Sequence, residues 1–240
     1  MVTDVSASQD ELILREGELS ITGRLVDASN ATLLSKVSLG EFEIPCIYKP
    51  IAGERPLWDF PEGTLAEREY AAYLLSRESG LNIVPLTILR EGPYGKGMVQ
   101  KWVDIDESVD LVEFFQSDDL QLRSMTLFDA IINNTDRKIG HLLPTRGGQV
   151  YGCDHGVTFH TEDKLRTVLW QWAGQNFDST ELELLRALSA KFNAPFGTLL
   201  ETLITVEEFN ALKFRVNRLI NTGMFPNPSS DWPAVPWPPF

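Results

Sequence analysis

Asn133-Asn134-Thr135-Asp136-Arg137-Lys138, followed by His141-Leu142-Leu143 and then Gly152-Cys153-Asp154-His155-Gly156, is the stretch on which the reading of this chain turns. Residues 141–144 read as a short apolar strand, Arg146-Gly147-Gly148 as a turn and residues 149–153 as a returning strand, so the chain folds back as a hairpin. One carboxylate, Asp136, precedes the hairpin and another, Asp154, follows it. Both can then face one pocket. Paired acids of this kind suit phosphoryl transfer, because one orients an attacking hydroxyl while the other holds the cation that neutralises phosphate charge.

Outward from this stretch, the two halves of the chain differ. Before it, residues 12–14, 18–24, 32–39 and 43–48 read as strands, with Gly40-Glu41 as a hairpin turn. A helix interrupts them, opening at Thr64 with Glu67 three residues on, the spacing of a capping box. Strands resume at 83–89 and 98–103 around the turn Gly92-Pro93-Tyr94-Gly95. The expectation is an antiparallel β lobe carrying one helix, over residues 1–103. From 104 to 224 the pattern turns helical, with helices near 111–115 and 120–134. Capping boxes are read at Thr180 with Glu183 and at Thr205 with Glu208, and the latter opens an apolar stripe of Phe209, Leu212, Val216 and Leu219 that stops at Gly223. Residues 225–240 are too rich in proline for helix or central strand and read as an extended tail. Its tryptophans and phenylalanine point either to docking on the tail's own domain or to a partner.

Composition narrows the function classes. The 240 residues are 43% hydrophobic and 23% charged, ordinary for a globular protein, and no apolar run has the length of a membrane span. A formal net charge of −13 repels nucleic acid and anionic lipid surfaces, and no local basic patch offsets it, so neither nucleic-acid binding nor stable membrane association is expected. Two cysteines, Cys46 and Cys153, and a start without a basic, apolar leader read as cytoplasmic. His141, His155 and His160 crowd near Cys153 and Asp154, which raises a transition-metal site. The compact ligand pairs of zinc centres, Cys-x-x-Cys or His-Glu-x-x-His, are missing.

Other residues could serve the same chemistry. Lys49, at the end of Ile47-Tyr48-Lys49-Pro50, is placed to hold nucleotide phosphates or is an exposed strand lysine. Glu67 and Glu69 on the following helix could each pair with it, and periodicity does not choose between them. Asp27-Ala28-Ser29-Asn30-Ala31-Thr32 offers small polar groups that could cover phosphates as a nest, or form an ordinary turn. Residues 98–103, including Gln100, Lys101 and Trp102, could be a hinge presenting backbone to an adenine edge, or a plain strand.

The ordered set of strand lysine, helix glutamate, hinge, Asn-Thr-Asp-Arg and Asp-x-Gly resembles the phosphatidylinositol 3/4-kinase superfamily. The likeness is greatest to type II phosphatidylinositol 4-kinases, through Tyr48-Lys49-Pro50, Gly80-Leu81-Asn82-Ile83-Val84-Pro85, Asn134-Thr135-Asp136-Arg137 and Asp154-His155-Gly156; HipA-like kinases share the layout. The resemblance runs from about residue 23 to 159. It implies an α+β, bilobal protein-kinase-like fold and an ATP-dependent phosphotransferase. By position, Lys49 would contact phosphates of ATP with Glu69 supporting it; Ser29, Asn30 and Thr32, from the polar turn described above, are the candidates to cover them. Asp136 would be the catalytic-loop acid and Asp154 the holder of Mg²⁺ or Mn²⁺, while backbone at Gln100, Lys101 and Trp102 would read adenine. The family's metal-binding asparagine is His141 here, which weakens Mg²⁺ binding and leans towards Mn²⁺, a single metal or little dependence on metal. Without a membrane-attachment element, the implied acceptor is a hydroxyl on a protein, this chain included, or on a soluble small molecule rather than on a lipid. A nucleotide-binding regulator without turnover and an adenylyl transferase are the alternatives.

Overall fold

The computed structural model describes residues 8–25 and 31–240. Five strands make one antiparallel sheet in the order β1-β2-β3-β5-β4: β1 (Glu18–Arg24), β2 (Leu33–Leu39), β3 (Phe42–Pro50), β4 (Thr87–Gly92) and β5 (Gly95–Lys101). Helix α1 (Gln9–Glu16) precedes the sheet and α2 (Leu65–Ser79) lies between β3 and β4. Alternating burial along β2 sends Leu33, Ser35 and Val37 inward, where Val37 joins Ile13, Leu14, Ile44, Tyr48 and Val99 in a core beneath the sheet. The second half is helical: α3 (Leu111–Phe114), α4 (Leu120–Ile132), α5 (Ser179–Lys191), α6 (Pro195–Leu200) and α7 (Val206–Thr222), with the hairpin β6 (Leu142–Pro144) and β7 (Val150–Gly152) beside α4. A larger core joins α4, α5 and α7 to the inner face of α2, so α2 is shared by both halves. This is an α+β, bilobal fold.

Several sequence expectations need correction. Residues 12–14 are helix, not strand. Ser8 caps α1 by accepting from the Glu11 amide at 3.2 Å, and Glu11 pairs with Arg15 one turn on at 3.0 Å; three consecutive apolar residues do not tell a helix from a strand. The strand expected at 83–89 begins only at Thr87, because the buried Ser76 hydroxyl accepts from the amides of Ile83 (2.7 Å) and Val84 (3.1 Å) and bends the chain there. Thr64 does not cap α2. Its hydroxyl donates to the Pro61 carbonyl at 2.8 Å, while Glu54, eleven residues before the helix, accepts from the Leu65 and Ala66 amides at 3.0 and 2.8 Å. Helix α5 starts two residues before the expected box: Asp178 and Glu181 cap it reciprocally at 2.8 Å each, in place of Thr180 and Glu183. The box of Thr205 and Glu208 on α7, and the stop at Gly223 in the left-handed region (φ 66°), are as expected.

Residues 225–240 pack on their own chain. The Ala234 carbonyl accepts from the Thr167 amide at 3.0 Å and the Trp170 indole at 2.9 Å, and the Pro239 carbonyl accepts from the Ile139 amide at 2.9 Å.

Candidate active site

Helix α4 ends at Asn133, whose backbone enters the left-handed region (φ 53°), and the chain turns into the loop 134–141. Polar groups buried beneath that loop hold its shape. Arg137, fully buried, makes a two-pronged pair with Asp129 of α4 (2.9 Å and 3.0 Å). It also donates to the Cys153 carbonyl at 3.1 Å and to Nε2 of His155 at 2.7 Å. Asn134 donates to Asp129 at 2.9 Å and accepts from the Asp136 amide at 3.0 Å. Three elements of the sequence, α4, the loop and the segment after β7, are thereby fixed to one another by a single buried arginine.

Above this base, Asp154 meets the sheet lysine and Asp136 lines the same cleft. Lys49 Nζ, on β3, donates to Glu69 Oε1 and to Asp154 Oδ1, each at 2.7 Å. The second oxygen of Glu69 accepts from the His155 amide at 2.9 Å, so one α2 carboxylate orients both the lysine and the Asp154 loop. Glu67 points elsewhere and pairs with Lys96 at 2.6 Å, which settles the choice periodicity left open. His141 Nε2 lies 3.6 Å from Asp154 Oδ2, and Lys138 Nζ lies 3.4 Å from Asp136 Oδ2. Lys138 is not among the residues the sequence reading names for the site; its place two residues after Asp136 is the available signal.

The electrostatics separate the two acids. Lys49 beside Asp154 holds the Asp154 carboxyl well below the usual range against its burial, so it is ionised at any working pH. Burial pushes Asp136 up, and Asp154 adds to this, while Lys138 opposes it; Asp136 is the more basic carboxylate of the two. Burial disfavours the Lys49 charge, but Asp154 and Glu69 outweigh it and raise the ammonium above its ordinary value. His141 is pushed down to about 4 by burial and by the neighbouring cations, against the pull of Asp154, and is neutral. Burial raises the Cys153 thiol to about 12, so it is protonated at neutral pH. His155 is engaged by Arg137, and His160 faces Glu162 and Lys164, so the crowded histidines do not form one metal centre; among the described residues the group able to share a cation is Asp136, His141 and Asp154.

A cleft of about 580 Å³ opens from these side chains towards the strand end after β5, within the range of small-molecule sites. Lys49, Asp136, His141 and Asp154 line one end. Thr32, Gln100, Lys101 and Trp102 line it further along, together with Ile47 and Leu143. The Gln100 side chain donates to Thr87 at 2.9 Å, and the amides of Lys101 and Trp102 donate to Leu86 (2.8 Å) and Pro45 (2.9 Å). Those donors are therefore engaged within the sheet, and the cleft continues past them along Val103, Asp104 and Ile105. A second cavity of about 380 Å³ meets the first at Lys49, Asp136 and Asp154 and extends under the 54–57 loop. Ser29 and Asn30 lie outside the described residues.

No family model matches the chain. Its fold is shared with the Helicobacter pylori proinflammatory kinase CtkA (TM-score 0.50, 11% identity, 88% of this chain and 94% of that one). It is shared also with hydra Fam20, solved with sugar (TM-score 0.52, 12% identity, 89% and 87%). At such identities the likeness is one of fold. Protein Rv2133c of Mycobacterium tuberculosis is 42% identical over 96% of this chain and 95% of its own length, and the chain belongs to the same family as that protein.

Proposed function

We propose that this protein is an ATP-dependent phosphotransferase acting on a hydroxyl group. The observation that carries the reading is the convergence of Lys49, Asp136 and Asp154, from three separate elements, where the two cavities meet, with Glu69 of a fourth element holding Lys49 from the smaller cavity. Neither the sheet nor the helical half needs that arrangement for its own core. The kinase-like fold of CtkA and Fam20 agrees with it. The finer likeness to phosphatidylinositol 4-kinases rests on the four sequence motifs.

In this reading Lys49, held by Glu69, binds the non-transferred phosphates, and Asp136 accepts or orients the acceptor hydroxyl, for which its raised basicity is suited. Lys138 lies close enough to steady the developing phosphate charge. Asp136, His141 and Asp154 each offer a ligand atom within 4.8 Å of the others. Two carboxylate oxygens and one neutral imidazole fit a divalent cation, and suit Mn²⁺ better than Mg²⁺, which prefers oxygen. When bound, the cation would neutralise charge on the phosphates. Residues 1–103 would then be the nucleotide-holding lobe, 104–224 the lobe with the catalytic and metal loops, and 225–240 an appended tail. The acceptor is proposed to be a protein, this chain included, or a soluble small molecule; no helix among the described residues is long and apolar enough to cross a membrane. The proposed compartment is cytoplasmic.

A second reading, a nucleotide-binding regulator without turnover, draws on one observation: both oxygens of Asp154 face protein groups, Lys49 at 2.7 Å and His141 at 3.6 Å. Calorimetry with ATP, with Mn²⁺ and with Mg²⁺, followed by product mass, separates the cases. Binding with a phosphoryl-mass product supports transfer, binding without product supports the regulator, an adenylyl-mass product reassigns the reaction, and no binding overturns both nucleotide readings.

A further inference from the structure

The loop that carries Asp136 and His141 is held from below by Arg137 and Asn134, but its outer turn has a different support. The Ile139 amide, midway between the two residues, donates to the Pro239 carbonyl at 2.9 Å. The next residue is Gly140, and the Phe240 ring lies over it: a methyl group built on Gly140 would meet the ring edge at 3.7–3.8 Å. Phe240 also lines the large cleft, beside Lys138 and His141. Phe240 is 60% exposed, so it forms a lip and not a core contact.

The approach of this segment is fixed upstream. Trp232 lies against the Lys164 ammonium (4.4 Å to the ring centre), and Ala234 accepts the two hydrogen bonds from Thr167 and Trp170. Thr167 pairs in turn with Arg137 through a parallel bridge, and Pro236 is buried. The 232–240 segment therefore reaches the loop with few free torsions, since proline fixes φ at four of these nine positions.

We propose that the C-terminal segment is a strap that positions the 136–141 loop through Pro239, and that Phe240 is a nucleotide-facing lip of the cleft. Ile139, with its amide held, keeps Asp136 and His141 at a fixed separation. The aromatic ring offers an apolar face to whatever flat group enters beside Lys138. The strap arm stands on hydrogen bonding alone, whereas the lip arm rests on the nucleotide reading above.

Two measurements on the full chain and its variants test this. Hydrogen exchange compares the wild type with a chain ending at Pro236. Exchange over 137–142 should rise by at least about tenfold with α4 and α7 unchanged, because only the local opening is affected. Unchanged exchange there overturns the strap. Calorimetric titration with ADP and Mn²⁺ compares wild type, Phe240→Ala and Phe240→Tyr. Phe240→Ala should weaken binding about fivefold, the size of one aromatic contact, and Phe240→Tyr should restore it. Equal affinity of the alanine variant and the wild type overturns the lip. If the wild type binds no ADP, the nucleotide reading and the lip fail together, while the exchange result still decides the strap.

Discussion

Replacing Glu208 by alanine should unfasten the two halves of the molecule. Glu208 is buried at the start of α7, and its Oε1 accepts from Arg68 of α2 at 2.6 Å. Its Oε2 accepts from the Thr205 amide at 2.9 Å and completes the helix cap. Arg68 is 1% exposed, donates also to the Thr158 carbonyl at 2.8 Å and lies 4.9 Å from the centre of the Phe60 ring. Alanine strands that guanidinium without its counter-charge, which costs about 3–5 kcal/mol for a buried pair, and loses part of a cap worth ~1 kcal/mol. The sum, roughly 4–6 kcal/mol, is a large part of the ~5–15 kcal/mol that holds a domain folded. At about 2–4 °C per kcal/mol for a chain of this size, Tm should fall by ~8–24 °C. Urea unfolding of wild type, Glu208→Ala, Arg68→Met and the double variant checks it. The double variant should lose clearly less than the sum of the singles, because the charge left unpaired in each single variant is then gone. A Glu208→Ala loss below ~1 kcal/mol, or strict additivity, would refute the reasoning, since either result means the pair is not desolvated as its burial says.

Other outcomes follow from the same geometry. Asp129→Ala removes the partner of the fully buried Arg137 and should cost about 3–5 kcal/mol in urea unfolding, with Asp129→Asn costing less because it keeps an acceptor. Lys49→Met should abolish ATP binding in calorimetry while leaving the far-ultraviolet dichroism unchanged; retained affinity would remove Lys49 from the site. Stability should depend on pH through His141 and His155, both held neutral in the fold by burial. Their folded pKa values lie below the unfolded ~6.5, so this stability is complete above that pH and is lost as pH falls, at up to ~1.4 kcal/mol per unit per histidine. For His141 the loss levels off near pH 4. Urea unfolding in chelator-containing buffer from pH 7 to 4.5 reads the slope, and His155→Gln should flatten it; a flat wild-type profile would contradict the neutral assignment.

The sequence reading placed the sheet, the capped α7 and the hairpin because each is signalled within a few residues. Turn glycines, the spacing of Thr205 and Glu208, and alternation along β2 are local properties. The α1 helix and the α5 start that it misplaced turn on local caps, at Ser8 and Asp178, but two other elements were decided at a distance. Glu54 caps a helix eleven residues on, and Ser76 bends the chain at 83–84. The site behaved likewise. Lys49, Asp136 and Asp154 were visible as motifs, and the resemblance pointed to Glu69; periodicity could not choose it over Glu67, because ten of the fifteen α2 residues are buried and no narrow apolar stripe marks the face that turns to β3. The tail's docking was equally closed to sequence, since aromatic residues among prolines serve a strap and a partner-binding segment alike.

The most direct test of the central claim, that Lys49, Asp136 and Asp154 form one phosphoryl-transfer site, is incubation with γ-labelled ATP and Mn²⁺. Wild type is compared with Asp136→Ala and Asp154→Ala, reading label on the protein and on added candidate acceptors. The account predicts label with the wild type and loss of it in both variants, with all three folded by circular dichroism. Equal labelling in the three would contradict it.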